Sequence, residues 1–233
     1  MASRNGSGDI PRPERTQSPA QKQLESPDNS SPDSEQVVID QTADVFQNFL
    51  YQSWRQDMDK ENFRDQVTPI PQLTNFTQDP LSATAQVGRR LAKIGDDIQE
   101  KYAREFDHLI DDLKVDKNTA YDAFAGVAKK LVEGGLNWGR IASLFSFGYR
   151  IFVRVIGIGA AIKDFSLVLR NIVRNIVTFV KDTATGIARW IASQGGWGSA
   201  MEYQTSVGWR VIGGITFAAA ASLAAVFYLK SGR

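Results

Sequence analysis

Apolar side chains recur at helical spacing along most of the chain between residues 36 and 205. In the run from 36 to 57 they fall four, three, four and four residues apart, at Ile39, Ala43, Phe46, Leu50 and Trp54. This spacing places them on one face of an α-helix. A second run with the same periodicity extends from about 82 to 113. No stretch of strand length alternates with a period of two, so the pattern predicts an all-α domain.

Prolines and capping residues mark the ends of the predicted helices. Three prolines within 58–81 predict a loop there. Asn118 is a candidate N-cap for a helix that ends at Gly134-Gly135, because glycine is the preferred residue just beyond a helix end. Asn137 is the candidate N-cap of the next helix.

The helix that begins after Asn137 is apolar on nearly all sides. Between Ile141 and Ile162 its only charged residues are Arg150 and Arg154. Such a helix must be surrounded by other helices or by lipid. The next helix is amphipathic, and its cations stand seven, four and seven positions apart in one basic stripe, composed of Lys163, Arg170, Arg174 and Lys181.

Two interpretations of the basic stripe remain open. It is the solvated face of an amphipathic helix inside a folded bundle, or it faces an anionic membrane with its cations toward the headgroups. In the second interpretation the two helices form a hairpin that exchanges core contacts for lipid. Periodicity alone does not separate the two.

Another long apolar segment lies near the end of the sequence. Val211 to Leu229 is 19 residues without a charge, followed by Lys230 and Arg233. As a helix it spans about 28 Å, close to the hydrocarbon thickness of about 30 Å. We predict a single-pass transmembrane tail anchor over 208–230, with a buried core helix as the alternative. Its modest apolarity and basic tip favour the mitochondrial outer membrane, with the bulk of the chain facing the cytosol.

Composition excludes several classes of function. Residues 1–35 are rich in Pro and Ser and poor in large apolar side chains, so we predict that they are disordered. The chain has no Cys, which excludes disulfides, a thiol nucleophile and thiolate zinc sites. Its net charge of +1 argues against nucleic acid as a partner of the whole chain.

Residues with catalytic potential are few. His108 is the only histidine, and we interpret it as a surface helix residue rather than a metal ligand. Gly157-Ile158-Gly159 lacks the preceding strand and the third glycine of a dinucleotide-binding loop. We interpret Trp138, Trp190 and Trp197 as packing residues rather than a cofactor cage. We expect that the protein is not an enzyme and uses no cofactor and no metal ion.

The most specific pattern lies within 86–100. Four apolar residues spaced four, three and four apart form a ridge that is able to enter a groove: Val87, Leu91, Ile94 and Ile98. Small residues that permit close approach accompany this ridge: Gly88, Ala92 and Gly95. Asp96 stands at its edge, where a partner would supply a cation. The pattern alone is weak, because amphipathic helices are common.

The order of motifs makes the pattern specific. The segment 86–100 resembles the BH3 motif of the Bcl-2 family. The segment of about 131–150 contains Asn137-Trp138-Gly139-Arg140, which resembles the BH1 motif. The segment of about 189–204 contains Trp190-Ile191-Ala192 followed by Gly195-Gly196-Trp197, which resembles the BH2 motif. The helix over 36–57 occupies the BH4 position, and the anchor follows at the expected place. Within the family the chain is most similar to the pro-apoptotic effectors.

The resemblance implies a fold and a mechanism. The fold is a Bcl-2-like helical bundle over 36–205 around the apolar central helix. In the family's effectors, a BH3 ligand activates the protein, whose own BH3 segment then docks in the groove of a second copy. The dimers assemble further and permeabilise the mitochondrial outer membrane. The implied partners are BH3-containing activators, pro-survival relatives, further copies of the chain and membrane lipid.

The resemblance also assigns roles to single residues. It implies that Asp96 pairs with Arg140, that Gly139 leaves room for the incoming helix, and that Asn137 caps and contacts it. The ridge would supply a gross ~6–12 kcal/mol at about 1.5–3 kcal/mol for each residue. The ion pair would set the register. We expect Ile94→Ala, or a bulky residue at 139, to abolish oligomerisation while the monomer stays folded.

Two other functions remain open. A pro-survival guardian of the same family would share the fold, groove and anchor, and would sequester BH3 helices without permeabilising membranes. A membrane-inserting helical bundle of another class would show no saturable binding of BH3 peptides. The complete ridge with its Gly-Asp-Asp-Ile sequence favours the effector.

Overall fold

The helical periodicity is realised as six α-helices and one 3₁₀ helix within the residues that the computed structural model describes, which are 1, 34–60, 79–113, 119–157 and 165–203. The helices are α1 (Glu35–Met58), α2 (Ala83–Asp112), α3 (Ala120–Glu133), α4 (Trp138–Gly157), α5 (Phe165–Lys181) and α6 (Ile187–Ser193), followed by the 3₁₀ helix Trp197–Glu202. The prediction of an all-α domain is confirmed for this part of the chain.

Side-chain caps define where several helices begin. The Ser34 hydroxyl accepts a hydrogen bond from the Val37 amide at the start of α1 (3.3 Å), and Ser82 caps α2 in the same way. The N-cap of α3 is Thr119 rather than the predicted Asn118, which lies outside the described residues. At the other end of α3, Gly135 adopts a φ of 97°, a conformation that favours glycine.

The long second helix is not continuous. Tyr102 has non-helical backbone angles (φ −125°, ψ 27°) and divides α2 into two segments. The first segment carries the BH3 segment, and the second buries Phe106, Leu109 and Ile110. The sequence pattern predicted a single helix over 82–113, because both segments keep the same apolar periodicity.

Helix α4 is the centre of the bundle. It packs against α1, α2, α3 and α5, and fourteen of its twenty residues are buried. The Phe145 ring meets Phe46 and Phe49 of α1 edge-on, with ring centroids 5.0 and 5.4 Å apart. The apolar helix predicted from Ile141 onward is therefore surrounded by other helices, and its predicted continuation beyond residue 157 lies outside the described residues.

Three further predictions concern residues outside the described ranges. They are the disordered segment (its residues 2–33), the loop over 58–81 (most of its residues) and the tail anchor over 208–230. Among the helices that are described, none has both the length and the apolarity needed to cross a membrane.

Candidate functional site

The apolar ridge of the BH3 segment points into the protein's own core. Val87 and Ile98 are 3% and 1% exposed, and Leu91 and Ile94 are fully buried. They are covered because α2 packs against α1, α4 and the 3₁₀ helix. Sequence periodicity identified the ridge but not the surface that it contacts. Any partner that binds this ridge must first displace it from the bundle.

The small residues beside the ridge allow α2 to approach its neighbours closely. A Cβ atom at Gly88 would lie 2.5 Å from Cβ of Asn48 and 2.9 Å from the backbone nitrogen of Phe49. A Cβ atom at Gly95 would lie 2.6 Å from the Ser146 hydroxyl oxygen of α4. Ala92 is 1% exposed in the same interface. These residues are needed for the packing of the monomer itself.

Within this chain, Asp96 pairs with Lys60 and not with Arg140. The Lys60 ammonium lies 3.6 Å from the Asp96 carboxylate and 3.0 Å from that of Asp57. Partial burial lowers the pKa of Lys60, but the hydrogen bond and charge of Asp57, followed by those of Asp96, outweigh it and raise the pKa overall. The pairing of Asp96 with Arg140 that the resemblance implies therefore remains a prediction for a second copy of the chain.

The buried Tyr149 of α4 holds the Asp57 carboxylate from the other side. Its hydroxyl donates a hydrogen bond of 2.6 Å to Oδ2 of Asp57. Burial, together with the charge and hydrogen bond of Asp57, raises the pKa of Tyr149 well above its ordinary value. Tyr149 therefore remains a protonated donor at neutral pH.

The predicted groove residues meet at the start of α4. The Asn137 side chain accepts a hydrogen bond of 2.9 Å from the Arg140 amide, which confirms Asn137 as a cap. The Arg140 guanidinium donates to the Gly135 carbonyl and lies against Gly134. Its Nε is buried and has no hydrogen-bond partner among the described residues. Gly139 is buried in the first turn of the helix.

The tryptophans of the BH1 and BH2 motifs pack on one another. The Trp138 ring lies 5.1 Å from Trp190 and 5.9 Å from Trp197 between centroids. The Trp197 indole N–H donates to the Val38 carbonyl of α1 at 3.0 Å. Their interpretation as packing residues is confirmed, and they connect the start of α4 to α1.

The two cations in the second half of α4 form ion pairs with α2 of the same chain. Arg150 lies 4.0 Å from Asp107 and Arg154 lies 3.0 Å from Asp111, both on the second segment of α2. The two arginines are four residues apart, and so are the two aspartates, so both ion pairs lie along one side of the contact between α4 and α2. Across the described residues, no group of three His, Asp or Glu side chains could hold a metal ion.

Three members of the basic stripe are exposed on α5. Arg170, Arg174 and Lys181 face away from the buried positions, which are Phe165, Val168, Ile172, Ile176 and Val180. Lys163 lies outside the described residues. In this conformation these three cations lie on the solvated face of an amphipathic helix.

The sequence pattern did not identify four residues that take part in contacts around the BH3 segment. Lys60 contacts Asp96, Asp57 and Tyr149 are connected to Asp96 through Lys60, and Arg90 lies within the BH3 segment itself. Lys60 lay in a predicted loop, and Asp57 and Tyr149 lay in helices whose patterns gave no reason to connect them. Arg90 donates a hydrogen bond to the carbonyl of Tyr203, more than a hundred positions away. No local signal could have identified the contacts of Lys60 with Asp96, of Tyr149 with Asp57 or of Arg90 with Tyr203, because each joins separate elements.

Comparison with known proteins decides the family. Residues 91–197 match the family of apoptosis regulator proteins called the Bcl-2 family. The chain is 35% identical over 168 residues to the human protein Bcl-2 homologous antagonist/killer, covering 72% of this chain and 75% of that protein. The chain belongs to the Bcl-2 family. It is therefore an apoptosis regulator of a family that is not enzymatic.

Two further proteins match less of the chain or share less of its sequence. Human Bcl-2-like protein 1 is 31% identical over 118 residues, which cover 51% of this chain and 47% of that protein. The crystal structure of chicken BOK superposes with a TM-score of 0.54 at 16% identity, covering 72% of this chain and 97% of that one. This superposition confirms the Bcl-2-like bundle.

Proposed function

We propose that this protein is a pro-apoptotic effector similar to Bcl-2 homologous antagonist/killer (Bak). On binding a BH3 ligand it homo-oligomerises by BH3-in-groove exchange and permeabilises the mitochondrial outer membrane. The observation that carries the proposal is the extent of the match, since three quarters of the human antagonist/killer align with the chain but less than half of Bcl-2-like protein 1. The proposed site is the mitochondrial outer membrane, with the anchor over 208–230 and the bundle on the cytosolic side.

Burial of the ridge supports exchange as the mechanism. A ridge that is packed in the core of the bundle presents no apolar surface to solvent, so the resting monomer has no exposed hydrophobic patch there. Once released, the same four side chains regain burial in the groove of a second copy. The exchange therefore replaces one set of apolar contacts by another of similar size, at about 25 cal/mol for each Å².

The start of α4 supplies the proposed groove residues. Arg140 forms no ion pair among the described residues and its guanidinium donates to one backbone carbonyl, that of Gly135, so its remaining terminal N–H groups retain capacity for a carboxylate. Asp96 of an incoming BH3 segment would occupy that position, with Asn137 and Gly139 beside it. The proposed ligands are BH3 helices of activators and pro-survival relatives, and a second copy of this chain.

A pro-survival guardian is the second candidate function. The family match over 91–197 includes the groove residues and three of the four ridge residues, so a protein that only sequesters BH3 helices would use the same site. The two functions differ in the step after binding. A guardian keeps the bundle intact after the groove is filled, whereas an effector releases its own BH3 segment.

Dye release from liposomes tests the proposed function. The full chain is anchored in cardiolipin-containing liposomes and titrated with an activating BH3 peptide. We expect saturable peptide binding accompanied by dye release and by cross-linked dimers. Peptide binding without release would identify a guardian, and the absence of saturable binding would contradict both functions.

The basic stripe is expected to contribute to permeabilisation. Changing its four cations to Gln should weaken dye release about tenfold or more, since an anionic surface attracts each Lys or Arg by about 1 kcal/mol. The control variant carries the same charge change at exposed cations outside the stripe: Arg55, Arg104, Lys129 and Arg189. Equal dye release by the two variants at matched stability would show that the stripe is only a solvated face.

A further inference from the structure

Four polar side chains connect the interior of the bundle to the BH3 segment. Tyr149 of α4 donates to Oδ2 of Asp57 at the end of α1, at 2.6 Å. The other carboxylate oxygen of Asp57 accepts a hydrogen bond of 3.0 Å from Lys60, whose ammonium also lies 3.6 Å from Asp96. The chain of contacts therefore crosses α4, α1 and α2.

The contacts run from a buried end to a partly exposed one. Tyr149 is fully buried, and the Asp57 side chain is 12% exposed. The side chains of Lys60 and Asp96 are 58% and 42% exposed. Because Tyr149 and the helical backbone of α1 fix Asp57, Asp57 in turn fixes the position of the Lys60 ammonium. The Asp57 carboxylate thus positions the Lys60 ammonium within reach of Asp96.

We propose that Lys60 is an intramolecular restraint on the BH3 segment, occupying Asp96 in the resting monomer. This inference rests on the proposed BH3 exchange. In that exchange Asp96 pairs with Arg140 of a second copy, so it must first leave Lys60. The chain then supplies two alternative cations for one acid, and Lys60 raises the amount of BH3 ligand needed for activation.

The position of Lys60 makes it a separable control element. It is two residues beyond the end of α1, and it belongs neither to the ridge nor to the groove residues. Its removal therefore leaves the surfaces used in the dimer unchanged. Asp96 differs, because its substitution would remove both the restraint and the proposed contact with Arg140.

The experiment compares Lys60→Gln with the parent in the full, membrane-anchored chain. Partly exposed ion pairs are weak, so we expect the BH3-peptide concentration for half-maximal dye release to fall about two- to fivefold. The matched control is Lys130→Gln, which removes the Lys130–Glu133 pair (2.6 Å) on α3 without contact to the BH3 segment. Lys60→Arg, which keeps the charge, should retain a threshold close to that of the parent.

A second readout measures release of the BH3 segment directly. The chain has no Cys, so Gln99→Cys introduces a single thiol at a position of the BH3 segment that is 8% exposed, and the new side chain is smaller than the one that it replaces. In this background, Lys60→Gln should speed labelling by a maleimide about two- to fivefold before any peptide is added, and Lys130→Gln should not. Tyr149→Phe should act in the same direction, because it removes the donor that holds Asp57.

The two readouts distinguish this inference from the proposed function. Faster labelling of Lys60→Gln without dye release from any variant would support the restraint and contradict the effector function. Normal peptide-induced release with unchanged labelling and threshold in Lys60→Gln would overturn the restraint and leave the effector function standing.

Discussion

Replacing Ile94 by Ala is expected to lower the free energy of unfolding of the monomer by about 2–5 kcal/mol. Ile94 is fully buried among helices α1, α2 and α4, and loss of a buried aliphatic side chain combines a transfer term with a cavity term. Urea unfolding monitored by tryptophan fluorescence measures the change. Leu167→Ala is the control, because Leu167 is 55% exposed and should change the value by no more than about 0.5 kcal/mol.

The same burial changes what Ile94→Ala is expected to show about oligomerisation. The side chain is buried in the resting monomer and, in the proposed exchange, is buried again in a second copy. Its loss destabilises both states, so the net effect on dimerisation is smaller than the effect on unfolding. The expectation that Ile94→Ala abolishes oligomers while the monomer stays folded followed from the resemblance and did not include the burial of Ile94 in the monomer's own core.

Arg140→Gln is expected to affect dimerisation more than folding, unlike Ile94→Ala. Among the described residues, Arg140 forms no ion pair in the monomer, and its guanidinium donates to the Gly135 carbonyl. Its removal should leave Asp96 of the second copy without a cation, which costs about 3–5 kcal/mol at a buried site. Cross-linked dimers should therefore fall more in Arg140→Gln than in Ile94→Ala. The reverse order would contradict the proposed pairing.

Gly88→Ala is expected to destabilise the contact between α1 and α2 by about 1–3 kcal/mol. The new Cβ would lie 2.5 Å from Cβ of Asn48, 2.9 Å from the Phe49 backbone nitrogen and 3.0 Å from the Val45 carbonyl. Two of these three atoms belong to the backbone of α1, which cannot move aside without separating the helices. The variant should unfold at a lower urea concentration and release dye with less BH3 peptide.

Gly126→Ala on α3 is a control that is expected to raise the free energy of unfolding rather than lower it. It makes the same substitution within a helix, but a Cβ at Gly126 meets no atom within 4 Å. Alanine is favoured over glycine in a helix by about 0.8–1 kcal/mol, so this variant should be more stable than the parent. If Gly88→Ala were stabilised to the same degree, the close approach of α1 and α2 would be disproved.

Local signals in the sequence predicted the elements and many of their ends. The helix predicted over 36–57 is found at Glu35–Met58, and Asn137 caps α4 as its side-chain chemistry indicated. The division of α2 at Tyr102 was not predicted. A kink changes the direction of a helix without changing which residues are apolar, so it leaves no trace in the periodicity.

Periodicity and motif order were sufficient for the all-α fold class, the ridge and the family, because each is a property of residues a few positions apart or of motifs in series. The partner of each functional group was not accessible in this way. A ridge and an acid have the same sequence pattern whether they face a groove, solvent or their own core. Only the packing of α2 against α1 and α4 buries the ridge and brings Lys60 to Asp96, since these contacts join segments whose distance in space depends on the whole bundle.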